Sequence, residues 1–181
     1  MKFLKKHLSN ILFVILIGLL LYPKSKAWIL RQISFSPNIE STKERIKIDT
    51  YNWQLQGINT DNYDFNQAQG KVVLVNFWAT WCPPCIAEMP SIQALYNDYG
   101  DKVDFILVTS DTQDKVLPFM KERAFNMPVY NALSNAPNAF FTKTIPRTFL
   151  LDKQGNIVIN AARADWNTQK VRKLLDVLLA E

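Results

Sequence analysis

An α/β domain with a central mixed β-sheet flanked by helices is the fold class that this chain of 181 residues predicts. Three features carry that expectation. Residues 72–77 and 103–109 are apolar runs rich in β-branched and aromatic side chains, with the length of buried strands. Behind each run come apolar residues at helical spacing: Ile86, Met89, Ile92 and Leu95 after the first, and Val116, Phe119 and Met120 after the second. Toward the C-terminus, Lys153-Gln154-Gly155-Asn156 reads as a hairpin turn between the apolar run ending at Leu151 and the strand Ile157-Val158-Ile159. Strands and helices alternating in this order pack as one sheet with helices against it.

Composition narrows the function classes. With 48% hydrophobic and 12% aromatic residues the chain is ordinary for a globular protein, and it is long enough for one domain with a proper core. The formal net charge of +5 is unevenly placed. Six of the 21 basic residues precede Ser34, where there is no acidic residue, and the remainder carries 15 basic against 16 acidic side chains, a balance of −1. A near-neutral domain has no electrostatic footprint for nucleic acid.

The chain opens with Met1-Lys2-Phe3-Leu4-Lys5-Lys6-His7 and continues into an apolar run over residues 11–22. This is the outline of a signal peptide or signal-anchor. The run is shorter than the roughly 20 residues of a spanning helix. Lys5, Lys6 and Lys24 can nevertheless snorkel, and Tyr22 and Trp28 suit the interface. Lys24 and Lys26 spoil the cleavage site that Ser25 and Ala27 would offer, so residues 1–26 are read as a retained anchor. Residues 27–50 read as a juxtamembrane tether, amphipathic over 27–33 and without assigned structure over 34–47.

Residues 51–181 are expected to form the domain. Large apolar and polar residues alternate in Tyr51-Asn52-Trp53-Gln54-Leu55-Gln56, and residues 57–62 supply a turn before Tyr63-Asp64-Phe65. Tyr99-Gly100-Asp101 stops the first helix. Asp111 or Thr112 caps the second, which is expected to reach Ala124. Met127-Pro128-Val129-Tyr130 reads as a short edge strand, where a proline is tolerated. Residues 136–141 read as a brief helix or turn with aromatic anchors. The last helix starts near Asn167 and buries Val171, Leu174, Leu175 and Leu178.

The chemistry concentrates at Trp81-Cys82-Pro83-Pro84-Cys85, where the first strand hands over to the first helix. Free N–H groups and the positive end of the helix dipole favour an anion there. A thiolate so placed can have its pKa lowered from about 8.5 into the range of roughly 3.5 to 7.5. Cys82, just outside the first turn, is expected to be exposed and to act as the nucleophile. Cys85, one turn on and more buried, is expected to resolve the mixed disulfide. Pro83 and Pro84 lack an N–H, which withholds two donors from the Cys82 sulfur and argues for a reducing poise.

Other readings of the pair lack partners. A zinc site needs two further ligands, but there is no third cysteine, and the one histidine, His7, lies in the N-terminal segment. Haem attachment needs a histidine where Ile86 stands. A structural staple gains little from closing so short a loop. A peroxidase would carry its threonine three residues before the cysteine, whereas Thr80 is two before Cys82.

The run Phe77-Trp78-Ala79-Thr80-Trp81-Cys82-Pro83-Pro84-Cys85 resembles the active site of the thioredoxin superfamily. Its continuation through Glu88-Met89-Pro90 resembles the membrane-tethered, extracytoplasmic oxidoreductases of the TlpA/ResA type, a likeness that extends from about Tyr51 to the C-terminus. The resemblance implies a thioredoxin fold with an added N-terminal β-hairpin. It also implies a thiol–disulfide oxidoreductase that reduces protein disulfides through the Cys82–Cys85 dithiol, which becomes the redox-active Cys82–Cys85 disulfide, with no cofactor. Thioredoxin has a buried aspartate where this chain has Asn76. Glu88 matches an acidic residue of the TlpA/ResA type: helix geometry alone makes it a solvated residue, the resemblance a base for Cys85.

Thr144-Ile145-Pro146-Arg147 matches the loop whose cis-proline stands beside the cysteines. Ile145 and Pro146, with Trp81 and Pro83, are then expected to contact the substrate peptide as in strand addition. The resemblance further implies a single-pass protein of the inner membrane, with its catalytic domain in the periplasm or its equivalent and a transmembrane thiol carrier as electron donor. An oxidase or isomerase, and a non-enzymatic module that holds clients such as an apocytochrome, are the alternative functions.

Overall fold

The structure, a computed structural model, describes residues 45–181, residues 36–41 and positions 10, 11 and 13. Apart from those three positions, the anchor assigned to residues 1–26 lies outside the described residues, as does the start of the tether. No helix among the described residues is long and apolar enough to cross a membrane.

One sheet of seven strands organises the domain. The strands are β1 (Gln54–Gly57), β2 (Tyr63–Asp64), β3 (Val72–Phe77), β4 (Val103–Val108), β5 (Val129–Ala132), β6 (Arg147–Leu151) and β7 (Ile157–Ala162), in the order β2-β1-β5-β4-β3-β6-β7. The pairs β3/β4 and β4/β5 are parallel; every other neighbouring pair is antiparallel. Parallel neighbours need a long crossover, and helices α1 (Pro83–Tyr99) and α2 (Gln113–Glu122) provide it. Helix α3 (Gln169–Ala180) closes the chain.

The two-residue period of the strands divides the core. Val72, Leu74, Phe105, Leu107 and Leu150 join one cluster with Met89 and Ile92 of α1, Val116 and Phe119 of α2, and Val171 and Leu175 of α3. Val73, Val75, Ile106, Val108, Phe149 and Leu151 point to the other face, under Trp53, Phe65 and Phe140. Trp53 is fully buried, with ring centroids 5.4 Å from Phe65 and 5.9 Å from Phe140. The helix-facing row of β3 therefore reads Val72, Leu74, Asn76. A polar side chain sits at the end of an apolar row that leads to the cysteines.

Several expectations change. β5 is not an edge strand, because β1 pairs with it on the side away from β4. Pro128 precedes the ladder, and the Asn59 side chain brackets it by donating to the Met127 carbonyl at 2.9 Å and accepting from the Val129 N–H at 2.8 Å. Helix α2 stops at Glu122, two residues short of Ala124, whose φ of 54° takes the chain out of the helix. In α3, Leu174 is only half-buried, while Val171, Leu175 and Leu178 are buried. Of the aromatic anchors at 136–141, Phe140 is buried and Phe141 is 75% exposed.

The stretch over 34–47 left without assigned structure is, where described, laid against the domain. Glu40 N–H donates to the Val158 carbonyl at 2.9 Å, Ile157 N–H to the Ile46 carbonyl at 2.8 Å, and Ile48 N–H to the Gly155 carbonyl at 3.0 Å. Ser36 Oγ bonds Thr168 Oγ1 at 2.6 Å, and Lys170 Nζ reaches the Pro37 carbonyl at 3.1 Å. At the turn these residues cover, Gly155 has a φ of +80°, and a Cβ would lie 2.4 Å from the Tyr51 hydroxyl. Only glycine fits there.

Candidate active site

Strand β3 runs on past Phe77, since Trp78 N–H still donates to the Val108 carbonyl at 3.0 Å. The chain then turns into α1, and Thr80 N–H is caught by the buried carboxylate of Asp111 at 2.6 Å. Of the two caps the sequence offers, Asp111 and Thr112, the cap residue is Thr112, and Asp111 instead holds the loop that delivers the cysteines.

Cys82 is the N-cap of α1, and Pro83 and Pro84 form its first turn, where a missing N–H costs nothing. Cys82 and Cys85 form a disulfide across 5.3 Å between their Cα atoms. The Cys85 N–H points at the Cys82 sulfur at 3.3 Å, while the Ile86 N–H is taken by the Cys82 carbonyl at 3.0 Å. Cys85 is fully buried, as expected. Cys82 is not exposed as the sequence suggested: only 3% of it meets solvent. Its sulfur is turned inward onto Cys85 and joins the helix-face cluster with Trp78 and Ala79. Trp81, by contrast, is 69% exposed beside it.

The Ile145–Pro146 peptide is cis. Because Phe77 pairs with Arg147 across β3 and β6, Pro146 stands at the end of β3 where the cysteine loop begins. Pro146 is buried, Ile145 and Pro83 half-buried. Next to Ile145 opens a groove of about 490 Å³ lined by Phe77, Trp78, Val108, Asn131 and Ala132, with no charged residue in its wall.

Glu88, three residues after Cys85 on the same side of α1, is 2% exposed. Its environment is not that of a solvated helix residue. Oε1 accepts from Asn76 Nδ2 at 2.8 Å and from Thr148 Oγ1 at 3.4 Å, and Oε2 accepts from the Ala164 N–H at 3.4 Å. Burial pushes its pKa up to about 7, even though the donors from Asn76, Ala164 and Thr148 pull it down. The Trp166 indole N–H, buried without an acceptor at hydrogen-bond distance, pulls the same way. Ser91 fixes this loop by accepting from Trp166 N–H at 3.0 Å.

Sequence reasoning missed Thr148 and Ala164 and noticed Asn76 only as an aspartate that is absent. A signal was available. Asn76 and Thr148 occupy core-facing positions of strands that are otherwise apolar, and such polar residues are usually paired with each other or with something between them. Among the described residues, no three His, Cys, Asp or Glu side chains converge to hold a metal ion.

A Cys82–Cys85 disulfide at a helix N-terminus, a cis-proline beside it and a mixed sheet behind define a thiol–disulfide oxidoreductase of thioredoxin fold. The family described as Redoxin matches residues 51–178, and the chain belongs to it. Within the superfamily its likeness is to the TlpA/ResA type. It is 31% identical over 133 residues to the thiol-disulfide oxidoreductase ResA of Halalkalibacterium halodurans, covering 72% of this chain and 75% of that protein. It is 29% identical to the thioredoxin-like protein YneN of Bacillus subtilis over 85% of this chain and 88% of YneN. The crystal structure of a DsbF homologue from Corynebacterium diphtheriae has the same fold, with a TM-score of 0.59 at 21% identity over 78% of this chain and 92% of that one.

Proposed function

We propose that this oxidoreductase is a disulfide reductase, tethered by residues 1–26 to the cytoplasmic membrane with its domain outside the cytoplasm. In the reduced protein, the Cys82 thiolate attacks a disulfide in a client protein. A Cys82–client bond forms, and the client's other sulfur leaves as a thiolate. Glu88 then takes the proton of the Cys85 thiol. The Cys85 thiolate attacks the Cys82 sulfur, the Cys82–Cys85 bond forms, and the second client sulfur leaves as a thiolate that is protonated. Two electrons have passed to the client, and a transmembrane thiol carrier restores the dithiol.

The observation that carries this reading is a buried carboxyl, Glu88, one turn beyond a cysteine pair in which the Cys82 sulfur receives a single N–H. A single N–H, that of Cys85, is directed at the Cys82 sulfur. Few donors leave the thiolate only modestly stabilised, which keeps the reduced form a good electron donor. Glu88, with a pKa of about 7, is matched to accept a proton near neutrality. The uncharged groove beside Ile145 suits an apolar client segment lying along the Ile145 backbone, with Trp81, Pro83 and Pro146 forming the rest of the contact surface.

The reduction potential of the Cys82–Cys85 couple tests the direction. A value below about −200 mV is expected, and one near the roughly −120 mV of DsbA overturns the reductase reading in favour of an oxidase. Insulin reduction should vanish in Cys82→Ser. Labelling of the domain in intact cells by a membrane-impermeant thiol reagent tests its placement, and a domain protected from the reagent contradicts it.

A further inference from the structure

The groups that reach the Glu88 carboxyl from outside its own helix do so as donors. From β3 comes Asn76 Nδ2, from β6 the Thr148 hydroxyl, and from the loop after β7 the Ala164 N–H, with the Trp166 indole behind it. No cation balances the carboxyl among these neighbours; its own helix adds Cys85 one turn earlier. Asn76 is the centre of the set. It is fully buried, and its amide nitrogen donates twice, to Glu88 Oε1 and to Thr148 Oγ1, each at 2.8 Å.

The same side chain carries a cost. Asn76 Oδ1 is buried with no hydrogen-bond partner. An orphaned buried acceptor is unfavourable, so the amide is held this way round by what its nitrogen does. Turned over, it would set an oxygen against the carboxylate oxygen and lose the bond from nitrogen to Thr148. Thr148 in turn accepts from Asn76 and donates its hydroxyl hydrogen bond to Glu88 Oε1, so one nitrogen orients two groups.

We infer that Asn76 is a positioning residue whose amide nitrogen, directly and through Thr148, holds Glu88 as the proton-accepting carboxylate during resolution by Cys85. An aspartate at this position could not do so. When ionised it has no proton to donate, and it would put a second negative charge against the first. The inference rests on the reading of Glu88 as the base for Cys85.

The test separates the two claims. Reduced protein mixed with excess 5,5′-dithiobis(2-nitrobenzoate) releases two thionitrobenzoate anions in turn. The first comes off when Cys82 attacks, at a rate that depends on reagent concentration; the second comes off when Cys85 attacks Cys82, as a first-order step. Stopped-flow rates of the second release across pH 5 to 10 are measured for wild type, Asn76→Asp, Asn76→Leu and Glu88→Gln. Asn76→Asp keeps the volume of the side chain, which preserves the fold if the leucine does not.

The expected result is that both Asn76 variants move the midpoint of the second release upward by about one pH unit, a tenfold slowing below the midpoint. The first release should stay within about twofold. Glu88→Gln should abolish the wild-type inflection. An unmoved midpoint in Asn76→Asp, with the inflection lost in Glu88→Gln, overturns the role of Asn76 and leaves Glu88 as the base. A wild-type inflection that survives unmoved in Glu88→Gln overturns the reading of Glu88 itself.

Discussion

Asn76 and Thr148 stand directly opposite each other across the β3–β6 ladder, and both reach the same oxygen of Glu88. Opposed residues of an antiparallel pair point to one face at close range. The sheet therefore supplies a two-residue polar seat in an apolar wall, and α1 lowers a carboxyl onto it one turn beyond the disulfide.

That seat has a consequence for stability. The Glu88 pKa rises from 4.5 to about 7 on folding, so the folded protein prefers the protonated acid. Stability from this group is present below pH 4.5 and lost as pH rises through 7. Glu88→Gln cannot ionise and escapes the loss. Urea unfolding of the oxidised proteins should show the variant gaining on wild type between pH 4.5 and 8, by about 3 kcal/mol; a pH-independent difference contradicts it.

Asp111 should matter for the loop it holds. Asp111→Ala leaves the Thr80 N–H without its acceptor, and unfolding free energy should fall by about 1–3 kcal/mol. Asp111→Asn, which retains a carbonyl oxygen, should recover most of that. Equal stabilities for the alanine variant and wild type, measured by denaturant titration, would sink the assignment.

Trp53 is the centre of the aromatic cluster on the face away from the helices. Trp53→Ala should cost about 3–5 kcal/mol, and Trp53→Phe clearly less. The pH profile of thionitrobenzoate release should be unchanged, because the lesion lies across the sheet from Glu88. Calorimetry and the stopped-flow assay read the two halves separately.

A chain beginning at Thr50 removes Ile48, 6% exposed, and the backbone bonds of Ile46 and Ile48 to β7 and its turn. The loss should be about 3 kcal/mol relative to a chain beginning at Ser36. Amide exchange at Ile157 should quicken in the shortened form. An unchanged rate would mean that the segment adds nothing to the sheet.

How much of this was legible follows from the range of each interaction. Strands β3 and β4, helix α1 and the placing of the cysteines between strand and helix were all readable, because each depends on spacing within a dozen residues. The inward turn of Cys82 was not, since the buried cluster it joins draws on Leu107, Leu150 and Ile159 from distant strands. Nor was the interior position of β5, because that depends on β1, more than seventy residues earlier, docking beside it. The Glu88 seat joins residues 12 and 60 positions away, and register alone brings them together.

The residues laid along β7 have one more effect. At one margin of the sheet the chain's own lead-in takes the Ile157 N–H and the Val158 carbonyl of β7, and at the other margin β2 is only two residues long. Each border thus offers a stranger's extended segment a shortened ladder to zip on. With both borders so narrowed, the domain presents little open ladder for another chain to extend.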